Sequence, residues 1–378
     1  MPPSRRRRSM AWLALIATPA MAFTRPLARV QPDVLYAAKP RRLEDNVEGV
    51  VYVNEKCINC AACSHFAPSV FHRLDHYHVV YHQPDSPFEV DQARAALAAC
   101  PVAAIRLQTQ LLTKKEKELA VAMALSPDKN NIPLPFPRPL LPDVYFVGYH
   151  NEGSFGATPY LTEVKYGGVL VWIMIDTPRF SKLSKEAVIS LTGPKGPDYL
   201  LLTHVDDTAG HQEWVREFPS LKRIFHAGDL GVHNWIGDAS LENVEILLPN
   251  IEANSEKLTM YSLNGTVLQE QEDDIVILHT PGHSPGSISL YLKSHRVLFT
   301  GDCYAFTTRT MQMTGFPQYG NNLRKQASTL RKLLNYDWDV IAPGHGHHKD
   351  YRMVTNKEQV KCDDVEHAID EMKQHRRW

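Results

Sequence analysis

Apolar and polar positions alternate along most of this chain, and the period of the alternation changes from segment to segment. Residues 88–99 place their apolar side chains at helical spacing, with Asp91 near the start, and predict a helix. Residues 113–124, charged and then apolar, predict a second, shorter one. Pro127, Pro133, Pro135, Pro137, Pro139 and Pro142 then crowd together. They predict an extended segment, either a stiff linker or a loop packed on the next domain, because proline lacks the N–H that helix and central strand need. From about Asp143 strands and helices alternate. Residues 144–147, 160–165, 199–203, 275–278, 287–292, 296–300 and 340–342 are strand-like, while 208–218 and 323–334 are helix-like. Residues 169–175 are a continuous apolar run ending at Asp176-Thr177-Pro178, as a buried strand feeding a loop would. Polar residues gather just after strand ends, where α/β-type folds place their chemistry.

The first 45 residues differ in kind. Arg5 to Arg8 precede a short apolar run, 11–22, ending at the cleavage-like Ala20-Met21-Ala22. The run is too short to span a bilayer well, so no stable span is expected in the mature chain. Residues 23–43, starting at Phe23, hold five basic residues and one acid, Asp33. A signal peptide followed by such a segment resembles the bipartite presequence of algae with secondary plastids, and a plastid location is expected. A twin-arginine export signal is the runner-up. Residues 1–45 are set aside as a targeting presequence.

The whole chain has 378 residues, enough for two or three domains. With 41 Lys and Arg against 42 Asp and Glu there is no basic excess to suggest nucleic acid. Six cysteines are too few for a disulfide-rich scaffold. Four of them carry a pattern: Cys57, Cys60 and Cys63 two residues apart, then Cys100 followed by Pro101. Four soft anionic ligands, three in a tight loop and one from a distant segment, suit an iron–sulfur cube. Zinc and disulfides are the alternatives, though zinc usually pairs two Cys-x-x-Cys knuckles. The segment resembles bacterial-type ferredoxins over about 51–107, on the cysteine loop, Ala67-Pro68 and Cys100-Pro101-Val102-Ala103-Ala104-Ile105, and the domain is placed at 48–108. Ala67 stands where two-cluster relatives have a cysteine, so the resemblance implies a single [4Fe–4S] cluster.

A second site is built from strand ends. Its pieces are Thr203-His204, Thr280-Pro281-Gly282-His283-Ser284-Pro285-Gly286-Ser287, Phe299-Thr300-Gly301-Asp302 and Ala342-Pro343-Gly344-His345-Gly346, with Ser154-Phe155-Gly156-Ala157 and Ile175-Asp176-Thr177 upstream. In this order they resemble the metallo-β-lactamase superfamily, which includes glyoxalase II-type thioester hydrolases. The fold implied is α+β with two domains: a small ferredoxin-like domain, a helix and Pro-rich linker over 109–142, and an αββα sandwich over 143–378. The chain departs from the family's His-x-His-x-Asp-His motif. His204 keeps the first place, Asp206 replaces the second histidine, and Thr208 and Ala209 fall where second-metal ligands would be. If the helix starts at Thr208, His211 lies one turn beyond Asp207, and the two could rebuild part of a second site with His345. The expected metal ligands are therefore His204, Asp206, His211, His283, Asp302 and His345, with Asp206 and Asp207 as catalytic carboxylates. Imidazoles mixed with hard oxygens suit zinc or non-haem iron.

A metal-dependent hydrolase of ester or thioester type is the leading expectation. A redox enzyme with a mononuclear non-haem iron centre fed or sensed by the cluster, and a non-catalytic electron-transfer module, are the alternatives. The expected partners are a small-molecule substrate and an electron donor or acceptor protein.

Overall fold

The computed structural model describes residues 39–378 except 112, 126–131, 252–255 and 272. The expected presequence lies outside the described residues up to residue 38. Two seven-stranded sheets, counted among the described residues, face each other. The first runs, edge to edge, Ile246–Leu248, Lys222–His226, Tyr199–Leu201, Val169–Ile175, Tyr160–Tyr166, Val144–Phe146 and Arg138–Leu141. The second runs Val267–Leu268, Met260–Tyr261, Ile275–His279, Ile288–Leu292, Val297–Gly301, Val340–Pro343 and Lys349–Asp350.

Strand periodicity explains the layering. In the second sheet Ile275, Ile277, Leu290 and Phe299 point between the sheets. Val276, Leu278, Tyr291 and Leu298 point the other way, under helices Leu323–Leu333 and Lys357–Gln374. The first sheet divides likewise: Ile173, Ile175 and Leu201 face inward, while Met174, Leu200 and Leu202 meet Val188, Trp214 and Phe218 from the helices outside. Side chains alternate faces at every residue, so strands apolar on both faces must be covered twice, and the result is an αββα sandwich.

The cysteine-bearing segment is built on helix Pro87–Ala99. Ser86 and Glu89 form a capping box at its start, with Pro87 at the first helical position. The helix is rich in alanine, and both of its faces are used. Ala93 and Ala96 pack toward the cysteines, whereas Ala95, Ala98 and Ala99 join the core of the sandwich. Phe66 from the short helix Ala62–Phe66 meets Phe136 and Phe146 edge-on at centroid distances of 5.0 and 5.4 Å. Residues 40–378 accordingly form one compact unit. The proline-rich stretch is not a free spacer. Its end, Arg138–Leu141, is the edge strand of the first sheet, a place where Pro139 costs no interior ladder bond, and Phe136 is buried.

Candidate metal centres

The four expected cluster ligands converge. Cys57, Cys60, Cys63 and Cys100 line one small pocket whose other walls include Val53, Ile58, Val102 and Ile105. Left-handed backbone at Asn59 and Ala61 winds the three-cysteine loop tightly. The backbone N–H groups of His78 and Ala104 point at the sulfurs of Cys57 and Cys100, at 3.4 and 3.1 Å. Burial pushes the Cys60 thiol up to about 12 and the Cys63 thiol well up, and the neighbouring thiolates add to both. An apolar pocket that resists bare thiolates, yet aims N–H donors at sulfur, fits a cationic iron–sulfur core.

The second site sits at the strand ends of the sandwich. His204 follows strand Tyr199–Leu201, with Asp206 and Asp207 in the 3-10 turn Val205–Asp207 beyond it. His283 lies in the turn between Ile275–His279 and Ile288–Leu292, and Asp302 follows Val297–Gly301. Two carboxylate oxygens face the same pair of imidazole nitrogens. Asp206 Oδ2 is 3.7 Å from His204 Nε2 and 3.5 Å from His283 Nε2. Asp302 Oδ2 is 3.8 Å from each of the same two nitrogens. Ligands bound tetrahedrally to zinc at about 2.0–2.2 Å stand roughly 3.3–3.6 Å apart, so this spacing is close to that of a metal shell.

Hydrogen bonding selects the ligand atom of His204. Thr203 donates its backbone N–H and its hydroxyl to the buried Asp176 carboxylate, at 2.8 and 2.9 Å. The hydroxyl oxygen is then free to accept from His204 Nδ1, 3.0 Å away. That leaves the lone pair on Nε2, which is buried with no hydrogen-bond partner and aimed at the two carboxylates. Gly301 permits the close approach: at φ +50° it lies where an added Cβ would come within 2.7 Å of the Thr203 hydroxyl oxygen. Burial, then His283, lowers the His204 ring to about 4, so it is neutral and able to ligate. Burial alone would raise the Asp206 carboxyl, but His283, His204 and the Trp235 indole N–H outweigh it and hold it below its usual value. His204, Asp206 and His283 form a group that could hold a divalent metal, and Asp302 faces the same two imidazoles.

His345 is adjacent but faces Asp302. Its Nδ1 is 2.9 Å from both Asp302 oxygens, and its backbone N–H donates to Oδ1 at 3.1 Å. Burial would lower this ring, yet Asp302 and Asp207 hold it above its ordinary value, and its Nε2 is buried with no hydrogen-bond partner. Asp207 is fully buried, 3.8 Å from the Nδ1 atoms of His204 and His345, with no hydrogen bond to either oxygen. Burial pushes it well up. The Thr208 hydroxyl donates to the Val205 carbonyl, and Ala209 has no donor atom to offer.

His211 departs from the expectation. The helix begins at His211, not Thr208, because Gly210 takes a left-handed conformation between the two turns. His211 therefore does not share a helix face with Asp207. Its Nε2 pairs with Asp238 at 2.9 Å and its Nδ1 meets Arg223 at 3.1 Å, so it braces the first sheet and is no ligand. Asp229 has a part that its sequence context does not reveal. Buried after strand Lys222–His226, it accepts from the Val205 N–H at 2.9 Å, the Ser284 hydroxyl at 2.7 Å and the Gly286 N–H. The only signal for it is a polar residue past a strand end.

A cysteine-lined pocket packed against a sandwich with His and Asp donors at its edge defines a two-centre metalloprotein. Residues 171–345 match the metallo-beta-lactamase superfamily, and residues 53–107 match the 4Fe-4S single cluster domain of Ferredoxin I. The chain is 30% identical over 166 residues to "Probable metallo-hydrolase YqgX" of Bacillus subtilis, covering 43% of this chain and 74% of that one. It is 29% identical over 159 residues to "Hydroxyacylglutathione hydrolase GloC" of Haemophilus influenzae, covering 39% and 68%. A looser likeness of fold, at 14% identity and a TM-score of 0.42, links 62% of it to 97% of the DIM-1 metallo-β-lactamase. The chain belongs to the metallo-β-lactamase superfamily and carries a 4Fe–4S ferredoxin domain ahead of the sandwich.

Proposed function

We propose that the protein is a metal-dependent hydrolase of a small ester or thioester, working with one metal at the sandwich edge. The observation that carries this is the convergence of His204 Nε2, His283 Nε2, Asp206 Oδ2 and Asp302 Oδ2. The thioester class is suggested by the relative from Haemophilus, whose name specifies hydroxyacylglutathione. A bound zinc or iron would supply Lewis acidity toward an acyl oxygen and acidify a water. The chain's own part is to orient and to manage protons. Asp176 and Thr203 fix the His204 tautomer, and His345 clamps Asp302 so that Oδ2 stays turned to the site. Asp206, held below its usual value, turns Oδ2 to the imidazoles and Oδ1 to Trp235, so its part is to hold and orient, while the buried Asp207 lies behind the ligands. Plastid targeting, proposed likewise, is supported by the signal-peptide-like run 11–22 followed by the basic, acid-poor stretch 23–43.

The test is metal analysis together with an acyl-thioester assay. One zinc per chain beyond the cluster iron, with at least about a hundredfold loss of turnover in His283→Ala, is expected. His283→Ala that retains the wild-type metal content would refute the site.

One observation favours a redox role alongside. The loop 151–157 touches both centres. An added Cβ on Gly156 would lie 3.2 Å from Cys60 Sγ. The neighbouring Phe155 carbonyl favours the charged form of His345, and Ser154 and Asn151 bond the Ala209 backbone. Iron in place of zinc at the second site, with a cluster midpoint potential that shifts when that metal is removed, is the result this reading expects. An unchanged potential speaks against it.

A further inference from the structure

The helix Leu323–Leu333 carries a polar stripe that the metal centres do not use. Lys325, Ser328, Thr329 and Lys332 are spaced i, i+3, i+4 and i+7, so they share one face. That face is exposed at Lys325 and partly buried at Ser328 and Lys332. It forms one wall of a cleft of about 330 Å³, within the size range of small-molecule sites. Asn250 and the loop 281–285, which carries His283, contribute to its lining, and Asn321 and Asn322 belong to it as well.

The polar groups of the cleft divide into two sets. Some are engaged in holding the fold. Thr329 donates to the Pro281 carbonyl at 2.8 Å, Asn322 caps the helix by accepting from the Lys325 N–H at 3.0 Å, and His279 meets the Pro285 carbonyl at 2.8 Å. The others have no protein partner. The side chains of Lys325, Lys332, Ser328, Asn250 and Asn321 make neither a hydrogen bond nor an ion pair among the described residues. Among those residues no carboxylate lines the cleft either. Two ammonium groups thus share a concavity whose described walls offer no counter-charge, and the half-buried Lys332 is held below its ordinary value, first by burial and then by Lys325.

We propose that this cleft binds a small two-ended organic anion, with phosphoryl or carboxyl groups at its two ends, one end at Lys325 and the other at Lys332. The two lysines stand roughly 10 Å apart along the helix axis, which favours a two-ended ligand over a single inorganic ion. Ser328 and the amides of Asn250 and Asn321 supply neutral donors between. The site also adjoins the metal ligand's loop, because the Asn321 and Asn322 N–H groups donate to the carbonyls of His283 and Gly282 at 2.9 and 2.8 Å. It does not depend on the hydrolase reading, since none of its donors is a metal ligand.

The experiment is calorimetric and thermal-shift titration of the intact, cluster-loaded protein. The probes are inorganic phosphate, fructose 1,6-bisphosphate as a two-ended phosphate and adipate as a two-ended carboxylate. We expect one two-ended probe to bind and raise Tm, with affinity falling as salt rises. K325M/K332M should bind that probe about tenfold or more weakly, a loss of roughly 1.4 kcal/mol or more. His283→Ala should bind it as the wild type does, which separates the cleft from capture of the anion by the metal. Unchanged affinity in K325M/K332M, loss in His283→Ala with retention in the lysine variant, or no response to either two-ended probe at about 10 mM would each overturn the proposal.

Discussion

Asp229 shows how much of the metal site depends on a residue that is not a ligand. One carboxylate holds the turn carrying His204 and Asp206 against the loop carrying His283, through the Val205 N–H, the Ser284 hydroxyl and the Gly286 N–H. Asp229→Ala would strand three buried donors. Each costs about 1–3 kcal/mol unpaired, so a loss of roughly 3 kcal/mol or more in denaturant midpoint experiments is expected, together with weaker metal retention against a chelator. Asp229→Asn keeps an acceptor and should fall between. His211 is the contrasting case. Its bonds to Asp238 and Arg223 make it a brace, so His211→Ala should lose about 1–3 kcal/mol of stability while metal stoichiometry stays at the wild-type value. A fall in stoichiometry would restore it as a ligand.

At the scale of elements, the loop 151–157 matters most, because it joins the two centres. It depends on Gly156, at φ +88° against Cys60 and Pro101. Gly168 makes a matched control, at φ +86° with nothing within 4 Å of an added Cβ. Alanine at either position carries backbone strain of about 1–2 kcal/mol. Only Gly156→Ala should also disturb the cluster, seen as lower iron and sulfide content or an altered EPR spectrum. Equal spectra in the two variants would mean that the contact does not position Cys60.

For the whole molecule, the prediction concerns cooperativity. Helix Pro87–Ala99 lends one face to the cysteine core and the other to the inter-sheet core. Arg179 adds a bond of 3.1 Å to the Pro101 carbonyl. A shared wall of this kind couples the two lobes, so cluster absorbance and far-UV circular dichroism should be lost in one coincident transition. Cys63→Ser should lower the midpoint of that transition for the sandwich as well. Two separated transitions would mean that the lobes unfold independently.

The amino-acid sequence determined the parts of this protein that depend on short-range order. Cys57, Cys60, Cys63 and Cys100 declare a cluster by spacing, and the Val169–Ile175 run declares a strand buried on both faces. The turns around His283, Asp302 and His345 mark a strand-end site, because their glycines and prolines are local requirements of the backbone. Tertiary structure alone decided which donors meet. The one-residue interruption at Gly210 turned His211 away from Asp207, and a 3-10 turn, not a helix, brought Asp206 to face His283. Arg138–Leu141 became an edge strand despite Pro139, because an edge leaves one side of the ladder unpaired. The roles of Asp229 and Gly156 depend on contacts between segments far apart in the chain, and no periodicity or motif within a window encodes such contacts.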